Sequence, residues 1–256
     1  MKTTKEITAA FKTAETYEEW MEQYQTDERV AIQKAIISFQ KRMEKNEKIQ
    51  KAHDEKLAFD ASFLPNTNAY VAGTDEAGRG PLAGPVVTAA VILPNYCQAL
   101  LGINDSKQLS KEKRNVYAKR IKEQALAYSI HFQSAEEIDR INILEATRQS
   151  MEISVKNLAI QPDVVIADAM KLNVSVPQHS IIKGDAKSLA IAAASILAKT
   201  ARDEYMDQLD EQFPMYGFKQ HAGYGTKQHL EALDKYGVTS HHRKSFEPIK
   251  SMLQKE

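Results

Sequence analysis

Across 256 residues, 34 basic side chains balance 34 acidic ones, so no net field favours indiscriminate polyanion binding and any grip on nucleic acid must be local. The single Cys97 excludes an internal disulfide, and no stretch nears the roughly 18 consecutive apolar residues of a membrane span. MKTTKEITAAFK at the N-terminus holds no signal-like apolar run, so a cytoplasmic protein with no membrane partner is expected.

Residues 1–66 lack glycine, are dense in Glu, Lys and Gln, and show helical spacing, with Tyr17, Trp20 and Tyr24 on one face and Ile32, Ile36, Phe39 and Met43 on another. Thr16 and Glu19 suggest a capping-box start. Two or three helices are expected, forming an N-terminal extension that ends at the Leu64-Pro65-Asn66 turn, with the catalytic domain at 67–256. Lys41, Arg42, Lys45, Lys48 and Lys51 alternate with Glu44, Glu47 and Glu55, which fits a solvated face better than a polyanion site.

Beyond Asn66 the pattern turns to β. Tyr70 to Thr74 and Pro85 to Leu93, rich in Val, Ile, Ala and Thr, predict neighbouring strands about a glycine-rich bend. A helix from Ser110 to Gln124 precedes a strand at Tyr128 to Gln133, and Ser134 with Glu137 opens a helical pattern running to Asn157. Val164 to Ala167 reads as a buried strand and Ser180 to Lys183 as a short one. Helices follow at Ser188 to Gln212 and Lys227 to Tyr236, the latter with Gly237 as an αL cap. This order predicts an α/β fold, a mixed sheet with helices on its faces.

The chemistry gathers where elements end. Asp75 and Glu76 follow an apolar strand and precede Gly78-Arg79-Gly80; because strand neighbours point to opposite faces, both acids can meet one ligand only if the strand ends between them. Asp168 closes the run Val164 to Ala167, at the sheet edge where open α/β folds place ligands, although turn chemistry alone would also explain it. Asp185 precedes a helix, where an ordinary capping role competes with function. Carboxylates at element ends suit a hard, oxygen-liganded cation such as Mg²⁺. A nucleotide cofactor is not expected: Arg79-Gly80 stand where a Walker A loop needs Lys-Ser/Thr, and Pro81 follows where a dinucleotide fingerprint needs a helix start. A backbone concavity beside Arg79 suits a phosphate or a sugar hydroxyl instead.

Gly73 to Pro85, Asp105 to Ser110, Lys183-Gly184-Asp185, Ala193 to Lys199 with Arg202-Asp203, Gly223 to Lys227 and His242 to Phe246 occur in the order found in bacterial ribonuclease HII, the type 2 ribonuclease H, which the chain resembles over about residues 70 to 248. The resemblance implies an RNase H-like fold with a helical C-terminal part, and it implies that Asp75, Glu76, Asp168 and Asp185 are catalytic, metal-binding carboxylates. It also implies two divalent ions, Mg²⁺ or Mn²⁺, and 3′-hydroxyl and 5′-phosphate products. Expected substrates are RNA/DNA hybrid and DNA–RNA–DNA duplex, cut by a monomer in ribonucleotide excision repair. Gly78, Arg79 and Gly80 resemble the loop that senses a ribose 2′-hydroxyl, Tyr224 the tyrosine that stacks on the next sugar, and Lys107 a further substrate contact. Ribonuclease HIII usually has a glutamate as its fourth acid and lacks the Gly-Arg-Gly loop, and this chain departs from that pattern at Asp185 and Arg79. The first 66 residues fall outside the resemblance. Asp203, about five turns beyond Asp185 along a helix, is expected to be structural or to support the site from behind without joining the acids, and the Lys, Arg, His and aromatic residues of 219–250 suggest a backbone-tracking surface, although a solvated face explains any single lysine equally well.

Overall fold

The computed structural model describes residues 2–103 and 109–254, so Lys107 and most of its motif lie outside the described residues. By internal contacts the chain forms two compact units, Met1–Asp54 and Glu55–Glu256. That division falls inside a helix, whereas the sequence reading puts the boundary at the Leu64-Pro65-Asn66 turn.

The first unit contains α1 (Thr4–Thr13), a 3₁₀ segment at Glu19–Tyr24 and most of the long α2 (Val30–Ala61). Its capping box is Thr3 with Glu6, and not Thr16 with Glu19: Glu18 precedes the 3₁₀ segment and makes no side-chain cap. Ile7, Phe11, Met21, Ile32, Ile36 and Phe39 form its core, and each such buried side chain contributes about 1.5–3 kcal/mol. Tyr17 lies outside that core and is exposed. Lys41, Lys45, Lys48 and Lys51 are solvated, while Arg42 turns inward and donates to the carbonyls of Phe11 and Ala14.

In the second unit, β1 (Val71–Ala77), β2 (Val86–Ile92), β3 (Ala127–Gln133), β4 (Val164–Asp168) and β5 (Gln178–Ile181) form one sheet in the order β3-β2-β1-β4-β5. The pairs β1/β2 and β2/β3 are antiparallel, and β1/β4 and β4/β5 are parallel, giving the expected mixed sheet. Strand alternation divides the core. Ala89 and Val91 face α3 (Lys111–Gln124) and the buried start of the later α7 (Leu189–Gln212), whereas Ala90 and Ile92 face Met151 and Val155 on the other side.

The helical pattern of 134–157 is two helices, α4 (Ala135–Ile141) and α5 (Ile143–Lys156). Asn142 breaks it, with φ +70° and a side chain that accepts from the Glu145 amide at 3.0 Å, the local bond that makes Asn a better cap than helix interior. A single turn, α6 (Gly184–Lys187), precedes α7. The C-terminal part holds α8 (Phe218–His221), α9 (Lys227–Tyr236) and α10 (Ile249–Leu253) around Met206, Tyr216, Phe218 and Leu233. Gly237 follows α9 with positive φ but extended ψ, so it is not an αL cap. No described helix is long and apolar enough to cross a membrane.

Candidate active site

Alanines at 190 and 192–194 bring α7 so close to β1 that a Cβ on Gly73 would lie 2.3 Å from the Ala190 carbonyl carbon. That contact sets the height of β1, and β1 then outruns β4. Its pairing with β2 continues to Ala77 opposite Val87, but its pairing with β4 stops at Thr74 opposite Ala167. The strand therefore does not end between Asp75 and Glu76, as the sequence reading required. Both acids sit on the overhang past β4, where that neighbour no longer covers the edge, and Asp168 closes β4 beside them.

Asp75, Glu76, Asp168 and Asp185 line one cleft of about 300 Å³, together with Gly78, Arg79, Gly80, Ser195, Lys199, Arg202 and Tyr224. Asp75 is 5% exposed; it accepts from the Glu76 amide at 2.7 Å and from the Ser195 hydroxyl of α7. Burial, then the charges of Glu76 and Asp168, hold the Asp75 carboxyl well above its usual range. Glu76 is also raised, chiefly by burial, while Arg79, whose Nη1 is 3.5 Å from the Glu76 Oε1, opposes the shift.

Asp168 Oδ1 accepts from the Gly184 amide at 2.7 Å, which fixes the α6 turn carrying Asp185. The capping alternative for Asp185 fails, because Ser188 caps α7 by accepting from Ile191. Among the described residues no three His, Cys, Asp or Glu side chains converge closely enough to hold a metal ion as they stand. The donor set nonetheless fits a hard divalent cation: it is all oxygen, and two of its members are destabilised as anions by burial and mutual repulsion.

Two buried arginines hold the loop wall beside these acids. Arg243 donates to the carbonyls of Gly78 (2.6 Å), Arg79 (2.8 Å) and Gly84 (2.9 and 3.1 Å), and Arg202 to those of Ala83, Pro85 and Ala222 (3.0–3.1 Å). Burial lowers Arg202 to about 10 and Arg243 to about 9, and main-chain carbonyls surround both guanidinium groups. Gly78, at φ +93°, packs against Arg202 so tightly that a Cβ would lie 2.0 Å from Nε. Carbonyl and following amide point oppositely across a trans peptide, so the Arg79 and Gly80 amides face away from Arg243. Tyr224 lies against Gly80, and the amides of Leu82 and Ala83 both donate to the Gly223 carbonyl, lacing that turn to the loop.

Sequence reading missed Ser195, Lys199 and Arg202 as a set, although their i, i+4, i+7 spacing makes a polar stripe on an otherwise apolar helix. Asp203 bonds Lys199 and, at 3.1 Å, Arg114 of α3, the structural role expected of it. Of the surface expected at 219–250, Lys227, Lys235, Lys244 and Tyr224 are exposed, but Arg243, His229 and His242 are buried, as are Tyr216 and Phe218. His242 Nε2 is 3.1 Å from His229 Nε2, and its Nδ1 meets Thr239. Burial and the neighbouring imidazoles push His242 down to about 4, so it is a core histidine.

The sequence matches the family model described as Ribonuclease HII over residues 72–249, and one described as Ribonuclease HII N-terminal domain over residues 3–64. The chain belongs to the ribonuclease HII family. It is an endoribonuclease of the ribonuclease H type, directed at the RNA strand of RNA/DNA hybrids. The family assignment includes the N-terminal segment that the motif resemblance had left out. Ribonuclease HII of Enterococcus faecalis is 49% identical over 247 residues, covering 96% of this chain and 95% of that protein. The crystal structure of ribonuclease H2 from Pyrococcus horikoshii has a TM-score of 0.63 at 25% identity, covering 73% of this chain and 98% of that one. Bst-RNase HIII, crystallised with Mn²⁺, shares the fold at TM-score 0.56 and 20% identity, covering 73% of this chain and 70% of that one.

Proposed function

We propose that this ribonuclease HII cuts on the 5′ side of a single ribonucleotide embedded in duplex DNA, as well as within longer RNA/DNA hybrids, leaving 3′-hydroxyl and 5′-phosphate ends. The observation that carries the reading is that the four acids, the Gly78-Arg79-Gly80 loop and Tyr224 line the same cleft. Asp75, Glu76, Asp168 and Asp185 are the residues that would hold two divalent ions, Mg²⁺ or Mn²⁺. Bound there, such ions supply an activated water and charge stabilisation at the leaving 3′ oxygen.

The chain's own contribution is recognition and alignment. With their carbonyls taken by Arg243, Gly78 and Arg79 leave the following amides to meet one ribose 2′-hydroxyl, and glycine at 78 and 80 lets the backbone approach the sugar. Tyr224, half-exposed beside Gly80, offers a stacking face to the next sugar, where a missing 2′-hydroxyl leaves room. Lys199, oriented by Asp203, offers the cleft a cation for a phosphate oxygen. All of these come from one chain, which supports action as a monomer. End-labelled duplexes with one ribonucleotide, with four, and with none test the reading. Cutting 5′ of the lone ribonucleotide and sparing of all-DNA are expected; cutting only within the run of four would overturn it.

A further inference from the structure

The last two turns of α2 belong to the catalytic unit, and they carry a polar stripe into it. Lys56 and Asp60, each 7% exposed, are one turn apart on the same helix face. Burying an ammonium and a carboxylate costs several kcal/mol each unless polar groups replace water, so the partners they find identify what the stripe holds. Lys56 Nζ donates to the main-chain carbonyl of Asp185 at 3.0 Å and to that of Ile103 at 3.5 Å. Asp60 Oδ2 accepts from the Ala190 amide at 2.9 Å, at the start of the helix that carries Ser195, Lys199 and Arg202.

Asp185 sits in a helix of one turn, too short to hold itself. Its outside anchors include Asp168, through the Gly184 amide, and Lys56, through its own carbonyl. Moving that carbonyl turns the Asp185 side chain relative to Asp75 and Asp168. We propose that Lys56 and Asp60 are positioning residues for the acid site: Lys56 fixes the α6 turn and Asp60 fixes the first turn of α7 against it. This rests on the reading of Asp185 as one of the four metal-holding acids. Groups that orient ligands in this way typically control metal affinity and turnover by 10–100-fold without touching substrate.

The test uses the full chain and compares Lys56→Met, Lys56→Gln, Asp60→Asn, Asp185→Asn and Val155→Ala, the last being a destabilising control on the far side of the sheet. Mn²⁺ binding by titration calorimetry and the kcat and KM of hybrid cleavage are measured below each variant's unfolding temperature. Lys56→Met should weaken Mn²⁺ binding and lower kcat by about 10–100-fold at nearly unchanged KM. Lys56→Gln, which keeps a donor, should recover part of both, and Asp60→Asn, which keeps the acceptor, should show the smaller loss. Val155→Ala, matched in lost stability, should bind and turn over as the parent does. Parent-like Mn²⁺ binding and kcat in Lys56→Met, or an equal loss in Val155→Ala, would overturn the positioning role while leaving the four-acid reading intact. Parent-like binding and kcat in Asp185→Asn would overturn the four-acid reading itself, and the positioning proposal with it.

Discussion

The two walls of the cleft handle buried charge in opposite ways. On the acid wall, Asp75 and Glu76 are buried close to Asp168, and their protonation is favoured because burial and repulsion outweigh the Ser195 hydroxyl and Glu76 amide on Asp75 and the half-exposed Arg79 beside Glu76. On the loop wall, Arg202 and Arg243 are buried more completely, yet their guanidinium groups are satisfied by six main-chain carbonyls, those of Gly78, Arg79, Ala83, Gly84, Pro85 and Ala222. Unrelieved repulsion persists where a cationic ligand would answer it, and full satisfaction occurs where backbone shape has to be fixed before a ligand arrives. A buried carbonyl fork holds a loop; a buried acid cluster waits for a counter-charge.

The sharpest way to break this contrast is on the acid wall. Asp75→Asn or Asp168→Asn keeps side-chain volume and removes one charge, so hybrid cleavage should fall by at least about 10³-fold. Without divalent ions the Asp75→Asn variant should be more stable at neutral pH by denaturant unfolding, because burial and the charges of Glu76 and Asp168 disfavour the Asp75 carboxylate. Near-parental turnover would remove the acid cluster from the chemistry.

On the loop wall the expected effect is on stability and recognition. Arg243→Met strips donors from the carbonyls of Gly78, Arg79 and Gly84 and should cost about 3 kcal/mol in urea unfolding. Arg243→Lys keeps the charge without the planar fork, so it should regain some stability but still cut the lone-ribonucleotide duplex less efficiently relative to all-DNA than the parent does. Full discrimination in Arg243→Lys would mean that the loop keeps its shape without the clamp.

A smaller effect is expected at Asp60, whose carboxyl burial pushes from 3.8 up to about 6. A folded-state pKa above the unfolded value favours the protonated fold, so that stability is fully present below pH 3.8 and is lost as pH rises through about 6. Asp60→Asn does not ionise, so its stability relative to the parent should improve between pH 4 and pH 7.5 by about 2 kcal/mol. A difference flat across that range would mean that the carboxylate is not desolvated in solution. Tyr224→Ala, which leaves both walls intact, should be mildest, raising KM for the lone-ribonucleotide duplex about tenfold with little change in stability.

These contrasts were unevenly legible in the sequence. The acid wall was readable because Asp75, Glu76, Asp168 and Asp185 stand at element ends beside glycine or apolar runs, and because their motifs resemble a family. What joins Asp75 to Glu76 was not readable: the overhang of β1 past β4 is a matter of register, which residue order does not disclose. Arg243 lay in the basic run His241 to Lys244 and looked like surface, since only tertiary structure brings six carbonyls to two guanidinium groups. Lys56 and Asp60 were hidden in a charge-rich helix where most neighbours are solvated. Asn142 could have been anticipated as a cap, but the apolar spacing on both sides of it outweighed one residue.

The most direct test of the account separates recognition from cleavage. Asp168→Asn, silenced on the acid wall but intact on the loop wall, is titrated with a labelled DNA duplex bearing one ribonucleotide and with the same duplex made wholly of deoxyribonucleotides, at one salt concentration. One hydroxyl contact is worth about 1–3 kcal/mol, so the ribonucleotide duplex should bind roughly 5- to 150-fold more tightly and remain uncut. Equal affinity for the two duplexes would contradict the claim that the Gly78-Arg79-Gly80 wall reads a single 2′-hydroxyl.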